Sequence, residues 1–355
     1  MVNAVLTATA RLAALLVGLL YLAGGAVHAQ DSNRRDGSLE RVMVHGTSLE
    51  GALAGYPADR QVTIYLPPGY ASDPARRYPV IFALHGFGGS GADWPGFLGA
   101  PDAFDRAIAA GAAPMIVVMP DAMTQLGGAM FSNSVTTGDW EGFVADDLVA
   151  WVDAHYRTLP VRDSRGIAGF SVGGYGALRL AMKRPDVFSS LYAMSSCCLP
   201  PQVPPVPAEG SLAGFAALEA IRTPEDAAKL GFGAAPLAMA AAWSPNPARP
   251  PFFFDLPTKD GVPQPDIIAA WSANALLVMI HQYVPALRRL KGIALDVGAQ
   301  DYLLADNQRL HELLDRYRIR HTFAMYEGGH GDRIAERFEQ QVWPHFSATL
   351  AGASR

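Results

Sequence analysis

Apolar and polar positions along this chain alternate between two rhythms. Short apolar blocks at 41–44, 61–66, 78–84, 115–119, 166–170, 292–297 and 321–326 have the length and branched composition of β-strands. Between them, the stretches at 103–110, 143–155, 173–183, 306–317 and 334–350 suit helices, several with apolar residues at helical spacing. The block at 78–84 is apolar almost without interruption, as a strand covered on both faces must be. Strand and helix in alternation predict the α/β class: a mostly parallel central sheet with helices on both faces.

The rhythm breaks at 199–265, where clustered prolines, alanine-rich pieces and Phe252-Phe253-Phe254 show no clear strand. This segment is expected to form a partly helical cap over one domain spanning 38–350, because strand and helix resume after it. Phe252–Phe254 could serve an apolar substrate or the interior of the cap, and both readings stand open. At the amino terminus Arg11 precedes an apolar run at 12–26 that ends in Val27-His28-Ala29 before polar residues. That layout predicts a signal peptide over 1–29, a secreted or periplasmic protein, and no stable membrane insertion after cleavage.

Charge and cysteine content narrow the chemistry. The net charge of −5 comes from 28 basic and 33 acidic residues that are well mixed, so no basic stripe exists to follow a phosphate backbone, and nucleic acid is not an expected partner. The 2 cysteines, Cys197 and Cys198, are adjacent, which excludes a disulfide scaffold. Two packed thiols at a strand end are expected, with a strained bridge between neighbours as the alternative. Cysteines and histidines show no zinc-ligand spacing, and no metal or organic cofactor is expected.

Gly169-Phe170-Ser171-Val172-Gly173 has the form of a nucleophile elbow, fed by an apolar strand and followed by a helix-compatible stretch. A serine hydroxyl is a weak nucleophile, so the motif calls for a carboxylate and a histidine later in the chain. Asp301 follows the block 292–297 and His330 follows the block 321–326, which brings both to the sheet edge where Ser171 emerges. His155, His281, His311 and His345 lack such a setting. Among the acids, Asp296 lies inside a strand, Asp306 reads as a helix N-cap, and Glu327 and Asp332 flank the base. An oxyanion hole would use the Val172 N–H and one from His85-Gly86-Phe87-Gly88-Gly89, for which Phe87 is the chosen donor. His85 is expected to make a structural hydrogen bond.

With these motifs in place the chain resembles the esterase D-like family of the α/β-hydrolases, which includes feruloyl and acetyl-xylan esterases, S-formylglutathione hydrolases and mycolyltransferases. The resemblance rests on Val62-Thr63-Ile64-Tyr65-Leu66-Pro67-Pro68-Gly69-Tyr70, on Arg77-Tyr78-Pro79-Val80 leading to His85-Gly86, on Trp151 to Thr158, on Gly169 to Leu178, and on Gly328-Gly329-His330. It implies the same triad of Ser171, Asp301 and His330. It also implies that Asn133 and Trp140 approach the site as substrate contacts, with a structural role as the alternative. Relatives often place a tryptophan shortly after the histidine, whereas this chain reads Gly331-Asp332-Arg333. The expected activity is hydrolysis of a carboxylic ester, small or linked to a polysaccharide, through an acyl-enzyme. Acyl transfer to an alcohol is the alternative, and a non-catalytic binding protein is a third reading.

Overall fold

The seven predicted strands and an eighth assemble into one sheet in a computed structural model that describes residues 36–204 and 212–352. The proposed signal peptide lies outside the described residues. The strands are β1 (Ser38–His45), β2 (Asp59–Leu66), β3 (Val80–Leu84), β4 (Ile116–Pro120), β5 (Arg165–Phe170), β6 (Ser190–Met194), β7 (Gly292–Gly298) and β8 (Thr322–Tyr326). Their order is β1-β2-β4-β3-β5-β6-β7-β8. The pairs β1–β2 and β2–β4 are antiparallel and every other pair is parallel, in register from Val80 opposite Arg165 to Gly298 opposite Tyr326.

Side chains alternate across this sheet and divide the interior into two cores. Val80, Phe82 and Leu84 of β3 join Ile116, Val118, Ile167 and Leu295 on one face, under the helices Val172–Lys183 and Leu276–Leu287. Ile81 and Ala83 join Val117, Met119, Ala168 and Ala294 on the other, against Phe104, Trp343 and Phe346 of the flanking helices. Both faces of the middle strands are therefore covered, as their unbroken apolar runs require. The edge strand β8 is half exposed, with Met325 58% accessible.

The sequence pattern did not delimit β6, although a strand end at the thiols was expected, nor the helices Pro265–Ala273 and Leu276–Leu287, the latter packed beside the elbow helix. β6 is only five residues long and begins with a serine, which hides it among the flanking segments. The segment expected to lack strands contains the helices Ala213–Glu219, Pro224–Ala228 and Ala235–Trp243, and also a short hairpin pairing Thr258–Lys259 with Val262–Pro263. Phe254 is buried within it and packs against Phe252 at 5.4 Å. Neither ring lines the cleft at Ser171. They border a separate cavity of about 590 Å³ in this segment.

Candidate active site

Ser171 sits between the end of β5 and the helix Val172–Lys183 with φ 56° and ψ −114°, a conformation that a residue with a side chain rarely adopts. Its surroundings leave no other path. A Cβ on Gly169 would lie 2.0 Å from the Gly173 carbonyl oxygen, and one on Gly173 would lie 2.1 Å from that of Leu84. Both glycines are thus fixed by backbone contact with β3 and the elbow itself. The Ser171 N–H donates to the Met194 carbonyl at 2.9 Å, and its own carbonyl accepts from Tyr175 and Cys197.

The structure brings Ser171, His330 and Asp301 into one hydrogen-bonded chain. Ser171 Oγ is 2.9 Å from His330 Nε2, and His330 Nδ1 is 3.0 Å from Asp301 Oδ2. The Asp301 carboxylate has no exposed surface, and its Oδ1 accepts the Leu303 N–H at 2.9 Å. An ionised carboxylate at Nδ1 favours the tautomer that leaves Nε2 free to accept the serine proton. Phe170 and Tyr302 each pack a ring 4.8 Å from the imidazole.

It is Asp301, rather than a competing carboxylate, that meets His330, and Asp306 borders the same cleft. Asp306 is not an N-cap: the helix Leu304–Arg316 begins earlier, with Leu303 at the cap, so Asp306 falls in the first turn, 3.6 Å from Arg309. Burial holds its carboxyl above the usual range. Glu327 accepts from Gln300, and Asp332 accepts the Gly329 N–H. Asp296 pairs with the buried Arg337.

The loop carrying His330 rests on that pair. Arg337 donates to Tyr326 Oη at 2.7 Å, and Tyr326 Oη donates to the Gly329 carbonyl at 3.0 Å, one residue before the imidazole. Gln300 Oε1 accepts the Gly328 N–H at 2.7 Å, tying the acid loop to the base loop. Sequence reasoning missed Arg337, Gln300 and Tyr302 as parts of the site. The signal for the first was Asp296 itself, a charge within an otherwise apolar strand that requires a partner.

Ser171 and His330 open into a cleft of about 1140 Å³, walled by aromatic and apolar groups including Phe87, Trp94, Phe97, Met130 and Phe170. Phe232 and Met239 of the 199–265 segment also reach it, as do Cys197 and Cys198, which are free thiols. Phe87 and Val172 both line it, and neither N–H donates to an acceptor among the described residues. Val172 is the first residue of its helix, where the N–H has no intrahelical partner. His85 is buried, with Nδ1 2.7 Å from the Gly86 carbonyl and Nε2 accepting the Ala122 N–H at 2.9 Å. It therefore shapes the Phe87 loop, and burial lowers its pKa.

Asn133 and Trp140 do not meet the expectation of substrate contact, since neither borders the cleft. Trp140 is 1% exposed and donates to the Thr137 carbonyl, while Asn133 Oδ1 accepts the Glu141 N–H. Both fasten the turn before the helix that includes Leu148–His155.

Residues 55–355 match the model of the Esterase family, described as "Putative esterase". The chain belongs to this esterase family. An esterase of Mycobacterium tuberculosis is 39% identical over 137 residues, covering 36% of this chain and 27% of that protein. An endo-1,4-beta-xylanase/feruloyl esterase of Xylanibacter ruminicola is 31% identical over 129 residues, covering 35% of this chain and 18% of that protein. The matched stretch is thus about a quarter or less of these relatives' length. A solved ferulic acid esterase shares the fold with a TM-score of 0.62 at 20% identity, over 89% of this chain and 99% of the other. Esterase family membership and the α/β-hydrolase fold thus agree with the sheet order and with the elbow between β5 and its helix.

Proposed function

We propose that this esterase-family member hydrolyses a carboxylic ester through an acyl-enzyme formed on Ser171. The observation that carries the reading is the continuous chain Asp301–His330–Ser171, with links of 3.0 and 2.9 Å, opening beside two N–H groups that have no acceptor among the described residues. His330 Nε2 takes the hydroxyl proton as Ser171 Oγ attacks the ester carbonyl. The Val172 and Phe87 N–H groups hold the oxyanion, and His330 returns the proton to the leaving alcohol. Water, activated by the same imidazole, then releases the acid. Every step uses side chains and backbone of this chain.

The apolar wall of the cleft supports an ester with a bulky or aromatic portion, small or linked to a polysaccharide, and the relative named for feruloyl ester cleavage supports the same class. The apolar amino-terminal run supports action outside the cytoplasm. Labelling with a fluorophosphonate, alongside turnover of p-nitrophenyl, feruloyl and acetylated-sugar esters, tests the proposal. The expected result is one adduct on Ser171, absent in Ser171→Ala, with hydrolysis lost in that variant. Folded wild-type protein that takes no adduct at Ser171 and turns over none of the esters would overturn it.

A further inference from the structure

Away from the cleft, the end of the helix Leu304–Arg316 and the approach to β8 bring together His311, Asp315 and His321, none of which the proposed reaction uses. One ligand atom of each lies within 4.8 Å of the other two. His311 and Asp315 stand one helical turn apart and so share a face. The chain then reverses at Arg318, at φ 53°, and returns His321 alongside them. That reversal is fixed by the Arg318 N–H on the Asp315 carbonyl at 2.8 Å and the Ile319 N–H on the Leu314 carbonyl at 2.9 Å, with Ile319 buried.

Placing the protons shows what the cluster lacks. His321 Nδ1 lies 2.8 Å from the Ile319 carbonyl oxygen and therefore carries the hydrogen, which leaves Nε2 with a lone pair when the ring is neutral. That lone pair lies 2.8 Å from His311 Nδ1, so His311 donates there, and its own Nε2 becomes a second lone pair. The second lone pair faces Asp315 Oδ2 at 3.6 Å. With both rings neutral, two acceptors confront each other with no hydrogen between them, which is the state a cation would bind. Phe323 lies flat against the His311 ring, 4.7 Å away and 9° from parallel, and restrains it.

We propose that His311, Asp315 and His321 form a binding site for a divalent transition cation of the zinc class. Two imidazoles and one carboxylate suit zinc, copper or nickel better than magnesium or calcium, which prefer all-oxygen shells. The cation takes one nitrogen from each ring and an oxygen from Asp315, and water completes its shell. If His311 ligates through Nδ1, its hydrogen moves to Nε2 and the ring stays neutral. Nitrogen–zinc distances of about 2.0–2.1 Å require the two half-buried rings to part slightly, while the exposed Asp315 is free to follow the ion. The Ile319 carbonyl acts as the outer partner that orients His321. Occupancy would clamp the helix to the strand that leads to His330.

Calorimetric titration of zinc chloride into metal-stripped full-length protein tests the site. Wild type is expected to bind one equivalent at micromolar concentration, weakened about tenfold or more in His311→Gln/His321→Gln and in Asp315→Asn. Its melting temperature should rise by a few degrees with excess zinc, and the rise should vanish in the double variant. Esterase activity without zinc should be the same in all three proteins. Identical isotherms for wild type and the double variant would overturn the proposal, by placing zinc elsewhere, for instance at His45 beside Asp59 and Glu50. No binding by wild type at millimolar zinc would overturn it equally. Asp315→Asn, at an exposed carboxylate, keeps the test decisive if the double variant does not fold.

Discussion

The serine and the histidine of the site come from opposite kinds of structure. Ser171 leaves β5 at the buried centre of the sheet, and backbone packed on backbone holds it: Gly169 against Gly173, and Gly173 against Leu84. His330 leaves β8, the half-exposed edge strand, and a polar scaffold of Arg337, Asp296, Tyr326 and Gln300 holds its loop. A central strand can fix a side chain by sterics alone because it has neighbours on both sides. An edge strand has one neighbour, so placing a base with ångström accuracy there takes directional hydrogen bonds. The nucleophile is thus set by shape and the base by charge.

Substitutions at the two ends should fail differently. Gly173→Ala places a methyl against the Leu84 carbonyl, where neither backbone can give way, so more than about 4 kcal/mol of stability should be lost in denaturant unfolding. A loss below about 1 kcal/mol would mean that the elbow is not sterically fixed. Asp301→Asn should do the reverse. The amide fits the same space, so the melting temperature should hold within a few degrees, while kcat on a p-nitrophenyl ester falls by about 10⁴ because Nδ1 loses its anionic acceptor. Arg337→Met belongs between these outcomes. It leaves Asp296 buried without its cation, at about 3–5 kcal/mol, and frees Tyr326 from its anchor beside the base loop. Its kcat should fall more than its KM changes, since the ester cleft is left intact; an unchanged kcat in the folded variant would show that the Gly329 carbonyl needs no such support.

The same contrast explains what was legible in the sequence. The elbow could be read because its determinants lie within five consecutive residues, Gly169 to Gly173, next to the strand that feeds them. Asp301 and His330 could be read because each stands just past a strand, and parallel topology brings strand ends together. Arg337 could not, because its partner Asp296 lies on another element and only the folded sheet joins them. For Asn133 and Trp140 the resemblance left substrate contact and a structural role both open, and packing decides for the second: the tryptophan lies in the core and Asn133 Oδ1 accepts a backbone N–H. The 199–265 segment gave its helical character through its alanines, but not that Phe232 and Met239, rather than the phenylalanine triplet, reach the cleft. Which residue of a cap faces inward is decided by how the cap docks, and no periodicity carries that.

Acid sharpens the comparison further, because the interior near the centre of the sheet holds neutral imidazoles while the base loop is braced by an ion pair. Burial lowers the pKa of His85, and it lowers that of His345, hydrogen-bonded to Ser190 Oγ at 3.0 Å, to about 4. Both groups are harder to protonate folded than unfolded, where a histidine titrates near 6.5. Below that pH the unfolded chain takes up protons that the folded one refuses, so stability is complete above about 6.5 and drains away as pH falls toward 4. His345 alone accounts for up to about 3 kcal/mol across that window. His345→Gln should therefore flatten the slope of unfolding free energy against pH between about 6.5 and 4, measured by urea titration at each pH. An unchanged slope would show that His345 does not carry the acid sensitivity and would leave the buried His85 as the interior group to test.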